Sequence, residues 1–295
     1  LTIRIMAYAD GIDAAVLIGG PGPTPWLYED RLRLNGVKLV ADGALGSRGA
    51  LLKAPYADRP GERGLAVTGD TALRNRMSRA AMDRFQIAVH AIGDEANARV
   101  LSAFEELRET YGGDRRWRIE HAQVVDPADM ARFGALGLVA SMQPLHQQAD
   151  RAMAEARLGP DRLSGAYAWQ SLAASGARLA FGSDAPVELP DAFSGLAVAI
   201  SRQDASGQPF GGWQAQERLS RDLALAAYTA SAAWAGFAEG RFGRLTKGER
   251  ADFLLVDRDP TLASQAELRT MRIEQVWIGG KQVPISGQDE EINPK

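Results

Sequence analysis

RLAFGSDAPVE, Arg178 to Glu188, reads as a short apolar strand (Leu179, Ala180, Phe181) that breaks at Gly182-Ser183-Asp184 and turns at Pro186. An aspartate just past the end of a buried strand is a costly placement unless its charge has a partner. In a barrel of parallel strands, that strand end is where catalytic groups collect. Alone, the stretch also admits a plainer role, in which Asp184 bonds its own backbone within the turn. The choice between the two rests on the rest of the chain.

Five more strands precede it. GLVASMQ (137–143), RWRIEHA (116–122), QIAVHA (86–91) and GVKLVAD (36–42) are β-rich runs, and Thr2–Ala9 alternates apolar and polar residues. Helical patterns separate them. Leu73, Met77, Ala81 and Phe85 recur every four residues. Asp94 is the expected N-cap of a helix striped by Val100, Leu101, Phe104 and Leu107 and stopped by Gly112-Gly113. A short helix starts with Asp126 as cap and Pro127 at its first position and ends at Gly137, and another lies near Ala166–Ser175. GGPGPTP (19–25) is a loop by composition, and Lys53–Gly69 reads as an exposed loop able to serve as a lid. Strands alternating with helices predict a parallel α/β fold.

Beyond Asp184 the pattern is helical to about Glu239, with Ser220 capping one helix through Leu223, Ala227 and Trp234. GRLTKGERADFLLVD (243–257) then reads as turn, strand, turn, and Arg272–Val283 as two strands joined at Gly279-Gly280. The expected division is a barrel region over 1–240, a small β appendage over 241–285 and a frayed polar tail over 286–295.

A chain of 295 residues can bury a large core. With 45% hydrophobic and 24% charged residues it has the composition of an ordinary soluble globular protein. A net charge of -3 leaves no footprint for nucleic acid, and no apolar run approaches the roughly 20 residues that span a bilayer, so neither nucleic acid nor membrane is an expected partner. Without cysteine, any metal must be held by nitrogen and oxygen. No signal peptide is read at Leu1, and the cytoplasm is the expected compartment.

Two of the three histidines, His90 and His121, end apolar strands about one βα unit of 30 residues apart, and Asp184 follows about two units later. A lone buried histidine is more often a hydrogen-bonded core residue than a ligand. Two in step with the repeat read as a pair, and Asp184 would complete a His/His/carboxylate set of the kind that binds zinc. Lys38 lies between apolar neighbours on a strand expected to be buried, where an ammonium costs several kcal/mol unless paired or neutralised. The plain explanation is an ion pair with Asp42 or a neighbouring carboxylate.

VKLVADGALGSRGALLKAPYAD, VHAIGDEA, RIEHAQ, SMQPLH, RLAFGSDAPVE and GRLTKGERADFLLVD, running in order from about Arg4 to Lys281, resemble segments of amidohydrolase family 3 of the amidohydrolase superfamily, the N-substituted formamide deformylase-like metal-dependent hydrolases. The resemblance implies a distorted (β/α)8 TIM-type barrel with a small β-sandwich made from both chain ends. It implies that Lys38 is carboxylated and bridges two divalent metals, that His90 and His121 are the ligands of strands five and six, and that Asp184 is the aspartate of strand eight. Zinc is the expected ion, with one or two bound; manganese, iron or cobalt would also suit such ligands.

The His-x-His pair of the family's first strand is absent from this sequence, and six barrel strands stand where eight are needed. The chain is therefore expected to be the C-terminal portion of a longer enzyme, lacking strands one and two. The implied reaction is hydrolysis of a non-peptide C–N bond (amide, N-acyl or N-formyl) by a metal-activated water, with Asp184 as general base and then acid. His146 is the candidate for orienting substrate or stabilising the oxyanion. Gln143 and Arg162 are further substrate-contact candidates, and Asp42 and Asp94 are supports at most. Expected partners are a small amide-type substrate, the missing N-terminal segment and, as a homodimer, a second copy. Two other readings stay open: a single-metal deaminase of the same superfamily, against which Lys38 speaks, and a non-catalytic or regulatory relative or inactive fragment. Substrate choice would lie in loops such as Lys53–Gly69 and Pro144–Leu163.

Overall fold

The structure, a computed structural model, describes residues 1–285, so the expected frayed tail at 286–295 lies outside the described residues. The chain runs β1 (Ile5–Asp10), α1 (Ile12–Gly19), β2 (Leu32–Val40), α2 (Asp70–Met82), β3 (Gln86–Ala91), α3 (Asp94–Thr110), β4 (Arg118–His121), α4 (Met130–Leu136), β5 (Val139–Met142), α5 (Pro144–Leu158), α6 (Trp169–Ala174) and β6 (Arg178–Phe181). There follow α7 (Ala192–Ser201), α8 (Arg221–Tyr228), α9 (Ala230–Ala235), β7 (Phe253–Val256), α10 (Gln265–Arg269), β8 (Ile273–Ile278) and β9 (Lys281–Val283). All six strands read from the sequence form, and they pair in parallel in the order β1-β2-β3-β4-β5-β6. Both β1 and β6 are edges, so no barrel closes among the described residues. The appendage is a three-stranded antiparallel sheet whose β8–β9 turn uses Gly279 and Gly280 at φ 62° and 74°, a left-handed pair that hairpin turns demand. Among the described residues no helix is long and apolar enough to cross a membrane.

The strands alternate. Val37, Leu39, Ile87, Val89, Ile119 and Ala140 point to one face and are buried in the core with the helices. Fully burying a side chain such as Ile87 or Val89 stabilises by about 1.5–3 kcal/mol relative to exposure. The opposite face carries Lys38, Gln86, His90, Arg118, Glu120 and Ser141, which the register sets side by side: Lys38 with Ala88 and Arg118, and His90 with Glu120 and Ser141. Sheets buried on both faces read as continuous apolar runs; this one reserves a face for polar groups.

Several local expectations change. Asp94 is the first residue of α3, not its cap; its Oδ1 accepts from the Lys53 and Glu95 amides, which ties the loop after β2 to the helix. Asp126 and Gly137 cap as expected, the latter at φ 65°. Ser220 caps α8, but the helix breaks at Thr229 (φ −125°, ψ −96°), and α9 turns so that Trp234 and Ala235 pack on Val139 and Ala180. The Lys53–Gly69 segment is no free lid. Tyr56 is buried with its hydroxyl on the Ala50 carbonyl (2.7 Å), and Lys53 Nζ bonds Asp126 and Asp129 at 2.7 Å each. Pro144–Leu163 is helix α5 and the start of a 3-10 turn rather than a loop.

Candidate metal centre

The C-terminal ends of β3 and β4 bring His90 and His121 together edge to face, with ring centroids 4.6 Å apart. Strand alternation alone does not do this. His90 pairs with Glu120, so His121 falls in phase with Ile119 and would point toward the helices. His121 and Ala122 instead adopt φ 74° and 40°, and that left-handed kink turns the ring toward His90. Such a conformation in a non-glycine residue costs about 1–3 kcal/mol and is held only where its surroundings require it. Burial, then His121 and Lys38 beside it, push the His90 pKa down to about 3, and burial also lowers that of His121. Both rings are therefore held neutral, the form that binds metal.

Lys38 lies one strand over, partly buried, and makes no ion pair among the described residues. Burial lowers its pKa, and the charges that reach it are those of Glu120, Arg118 and Asp184. The plain expectation of a pair with Asp42 is not met, because Asp42 faces His90. Asp42 Oδ1 stands 3.6 Å from His90 Nε2, while its oxygens accept from the amides of Leu51 (2.8 Å), Ile92 (3.0 Å) and Gly93 (2.8 Å). Burial raises its pKa to about 6. Asp42 is thus a staple between two strand ends that also contacts a histidine.

Asp184 follows β6 at φ 58° and is exposed. Its carboxylate makes no hydrogen bond among the described residues, and the side chain that bonds the turn is Ser183, accepting from Ala185 N (3.3 Å). The plainer role does not apply. Its charge reaches Lys38, His121 and His146. His146 sits in the first turn of α5, its ring stacked 6.1 Å from His121 and its Nε2 buried without a partner among the described residues. Gln143 meets His121 rather than open space: its Oε1 is 2.9 Å from His121 Nδ1. Arg162 anchors a loop, its guanidinium donating to the carbonyls of Leu158 (2.8 Å), Ala54 (3.1 Å) and Pro55 (2.7 Å).

Beneath these groups lies a network that the sequence reading missed. Arg118 pairs with Glu120 and donates to Tyr8 OH (3.2 Å) and Ser141 Oγ (2.6 Å), while Tyr8 and Asn35 reach Gln86. Burial would raise the Glu120 pKa, but Arg118 and Lys38 outweigh it and hold the carboxyl low. The available signal was charge at alternate positions of the strand RIEH.

The chain spans about half the length of the relatives it matches. A protein named LONG AFTER FAR-RED 3 from Arabidopsis thaliana is 37% identical over 88% of this chain and 43% of its own length. The putative amidohydrolase YtcJ of Bacillus subtilis (strain 168) is 34% identical over 85% of this chain and 47% of its own. An uncharacterized metal-dependent hydrolase from Pyrococcus furiosus superposes with a TM-score of 0.76 at 33% identity, over 88% of this chain and 52% of that one. The sequence model described as amidohydrolase family matches residues 1–284. The chain belongs to the amidohydrolase family.

That family membership implies a divalent metal, and the donors can be tested against one. Among the described residues no three His, Asp or Glu side chains converge with metal-binding spacing. Two neutral imidazoles do converge, beside a lysine nitrogen that burial disfavours as a cation. This nitrogen set fits a borderline ion such as zinc and supplies part of its shell. A cavity of about 650 Å³ lies elsewhere, between Met6, Trp26, Tyr228 and Phe242. Its lining is mostly apolar and its charged pair, Arg4 and Asp252, is already engaged with itself, so chemistry rather than volume points to the histidines.

Proposed function

We propose that this chain supplies part of the active site of a metal-dependent amidohydrolase that cleaves a non-peptide C–N bond in an amide, N-acyl or N-formyl compound. The observation that carries the reading is the meeting of His90 and His121 at 4.6 Å beside Lys38, with the free carboxylate of Asp184 acting on the same groups. The relative named as a putative amidohydrolase supports the bond class.

His90, His121 and Lys38 would hold a divalent ion, with zinc the best match to two imidazoles. Such an ion, once bound, polarises a carbonyl and makes water a competent nucleophile at neutral pH. Lys38, disfavoured as an ammonium, adds through Nζ to carbon dioxide and releases a proton to solvent, and the carbamate so formed is the anion a cation site needs. Asp184 takes the proton of the attacking water as the new C–O bond forms, then delivers it to the nitrogen as the C–N bond breaks. His146, adjoining His121, orients the carbonyl oxygen. The six parallel strands serve as strands three to eight of a (β/α)8 barrel over 1–240, closed by strands from an N-terminal segment carrying the His-x-His pair, with 241–285 as one part of a β-sandwich.

The test is hydrolysis of simple N-formyl and N-acyl amines by the zinc-loaded chain, with and without an added segment bearing a His-x-His strand. Activity is expected with the segment, and D184N should lower it by about 10²–10⁴-fold without loss of zinc. A zinc-loaded protein that cleaves none of these amines would overturn the proposal.

A further inference from the structure

We propose that the N-terminal face of the sheet carries a second binding site, in which Arg33, Arg84 and Arg115 hold a phosphate group, free or as the monoester of a small molecule. The three guanidiniums line one cavity of about 280 Å³, with Asp114, Phe85 and Phe237 also in its wall. They come from three separate stretches of chain: Arg33 from β2, Arg84 from the turn between α2 and β3, and Arg115 from the turn between α3 and β4. Gln86, in the same lining, opens β3, and His90 stands near the other end of that strand. At about 3.3 Å per residue the two levels are roughly 13 Å apart, so this cavity is separate from the histidine cluster.

The distribution of charge singles these arginines out. The carboxylates around the cavity are already engaged by other cations: Asp83 by Arg79 (2.8 Å), Asp114 by Arg116 (2.8 Å) and Glu239 by Arg116 (2.8 Å). Among the described residues, Arg33, Arg84 and Arg115 form no ion pair. Burial, with Arg241 close by, pulls the Arg33 pKa down, as expected of a half-buried cation short of counter-charge. Two of the three are also held in place by backbone carbonyls. Arg33 Nε donates to Thr24 O (3.1 Å), and Arg115 donates from Nε to Gly112 O (3.0 Å) and from Nη1 to Ala81 O (3.3 Å). Those bonds leave both Nη atoms of Arg33 and Nη2 of Arg115 without a protein acceptor among the described residues. Arg84 is exposed and bonds no protein group among them. The amide of Gln86 is taken up by Asn35 and by the Ala235 carbonyl, so the recognition groups that remain are cations. A guanidinium meets the oxygens of phosphate two at a time, and three around one cavity favour a doubly charged oxyanion over chloride. The volume sits at the small end of ligand sites, which begin at about 300 Å³, and Phe85 and Phe237 supply an apolar wall for the body of a monoester. A ligand held here ties three stretches of chain together, on the face of such folds that serves stability rather than chemistry.

The experiment is thermal unfolding of the full chain with a chelator present and sodium phosphate replacing sodium chloride at fixed ionic strength. The expected result is a saturable rise in Tm with phosphate, because a ligand that binds only the folded chain stabilises it by mass action. R84E should raise the half-saturating concentration by about 10–100-fold, the worth of one charge-assisted hydrogen bond. R84K, which keeps the charge but not the fork, should fall between R84E and the unaltered chain. R33Q, on a different stretch of chain, should weaken binding as R84E does. H90A/H121A should respond as the unaltered chain does, which separates this site from phosphate held at the histidines. Phenyl phosphate acting at lower concentration than inorganic phosphate assigns a monoester to the site, and the reverse order assigns free phosphate. No saturable response to either compound, an unshifted response in both R84E and R33Q, or loss of the response in H90A/H121A would overturn the inference.

Discussion

On the polar sheet face, a network that runs from Gln86, at the start of β3, up to Glu120 and Ser141, level with His90, satisfies itself through Tyr8, Asn35 and Arg118, and the Ala235 carbonyl of α9 accepts from Gln86 at 2.8 Å. Beside that network, among the described residues, His90 and His146 each keep a buried ring nitrogen without a partner and Lys38 has no ion pair, while His121 and Asp184 sit at left-handed φ. The two groups are built on the same strands and share levels of the sheet, so strand chemistry does not separate them. What separates them is satisfaction: one group is completed by its own members, and the other is left with donors, strain and charge that a ligand would use. Buried polar groups without partners are costly, and His90 and His146 place two of them near the strand ends where catalytic groups collect in folds of this kind.

Breaking the self-satisfied network should have the largest effect. Arg118 and Glu120 are only 13% and 12% exposed, so R118M leaves Glu120 buried without its cation, and the loss of stability should be about 3–5 kcal/mol by urea unfolding. The double variant R118M/E120L should recover most of that loss. If R118M alone unfolds at the wild-type midpoint, the network is not the sealed unit described.

The unsatisfied group should reveal itself through pH. The folded pKa of His90, about 3, lies below the 6.5 of a free histidine, so between these values the unfolded chain binds a proton that the folded chain refuses. Its contribution is fully present above pH 6.5 and is lost as pH falls toward 3, on the order of 2–4 kcal/mol for the metal-free chain. Asp42 opposes it: a folded pKa raised from 3.8 to about 6 gives stability that is present below 3.8 and lost as pH rises through 6. The difference between wild type and H90N isolates the histidine, and the variant should show the shallower loss on acidification from pH 6.5. A smaller effect concerns strain. Asparagine tolerates the left-handed region better than histidine, so H121N should leave the metal-free fold as stable or raise it by about 1 kcal/mol, seen as a higher Tm. A clear loss would mean that His121 serves packing.

Much of the fold was legible because strand residues such as Val37, Leu39, Ile87 and Val89 follow local rules of pattern and propensity. His90 and Lys38 were legible as polar residues on strands too apolar to hold them for nothing. His121 was found by its position at a strand end, yet alternation alone would have aimed it the wrong way, since only backbone context produces its φ of 74°. The Arg162 anchor and the Gln143 contact depend on which carbonyl or ring lies opposite in space, which no local pattern encodes. The same holds for the break at Thr229 that lets α9 reach Gln86. The open edges at β1 and β6 leave the expected barrel unclosed among the described residues.

The central claim is that His90 and His121 jointly hold a divalent cation, and zinc uptake tests it most directly. Equilibrium dialysis of the unaltered chain and of H90A/H121A against micromolar zinc should leave at least one ion on the former and none specifically bound on the latter. Equal zinc on both proteins, or none on either, would contradict the account.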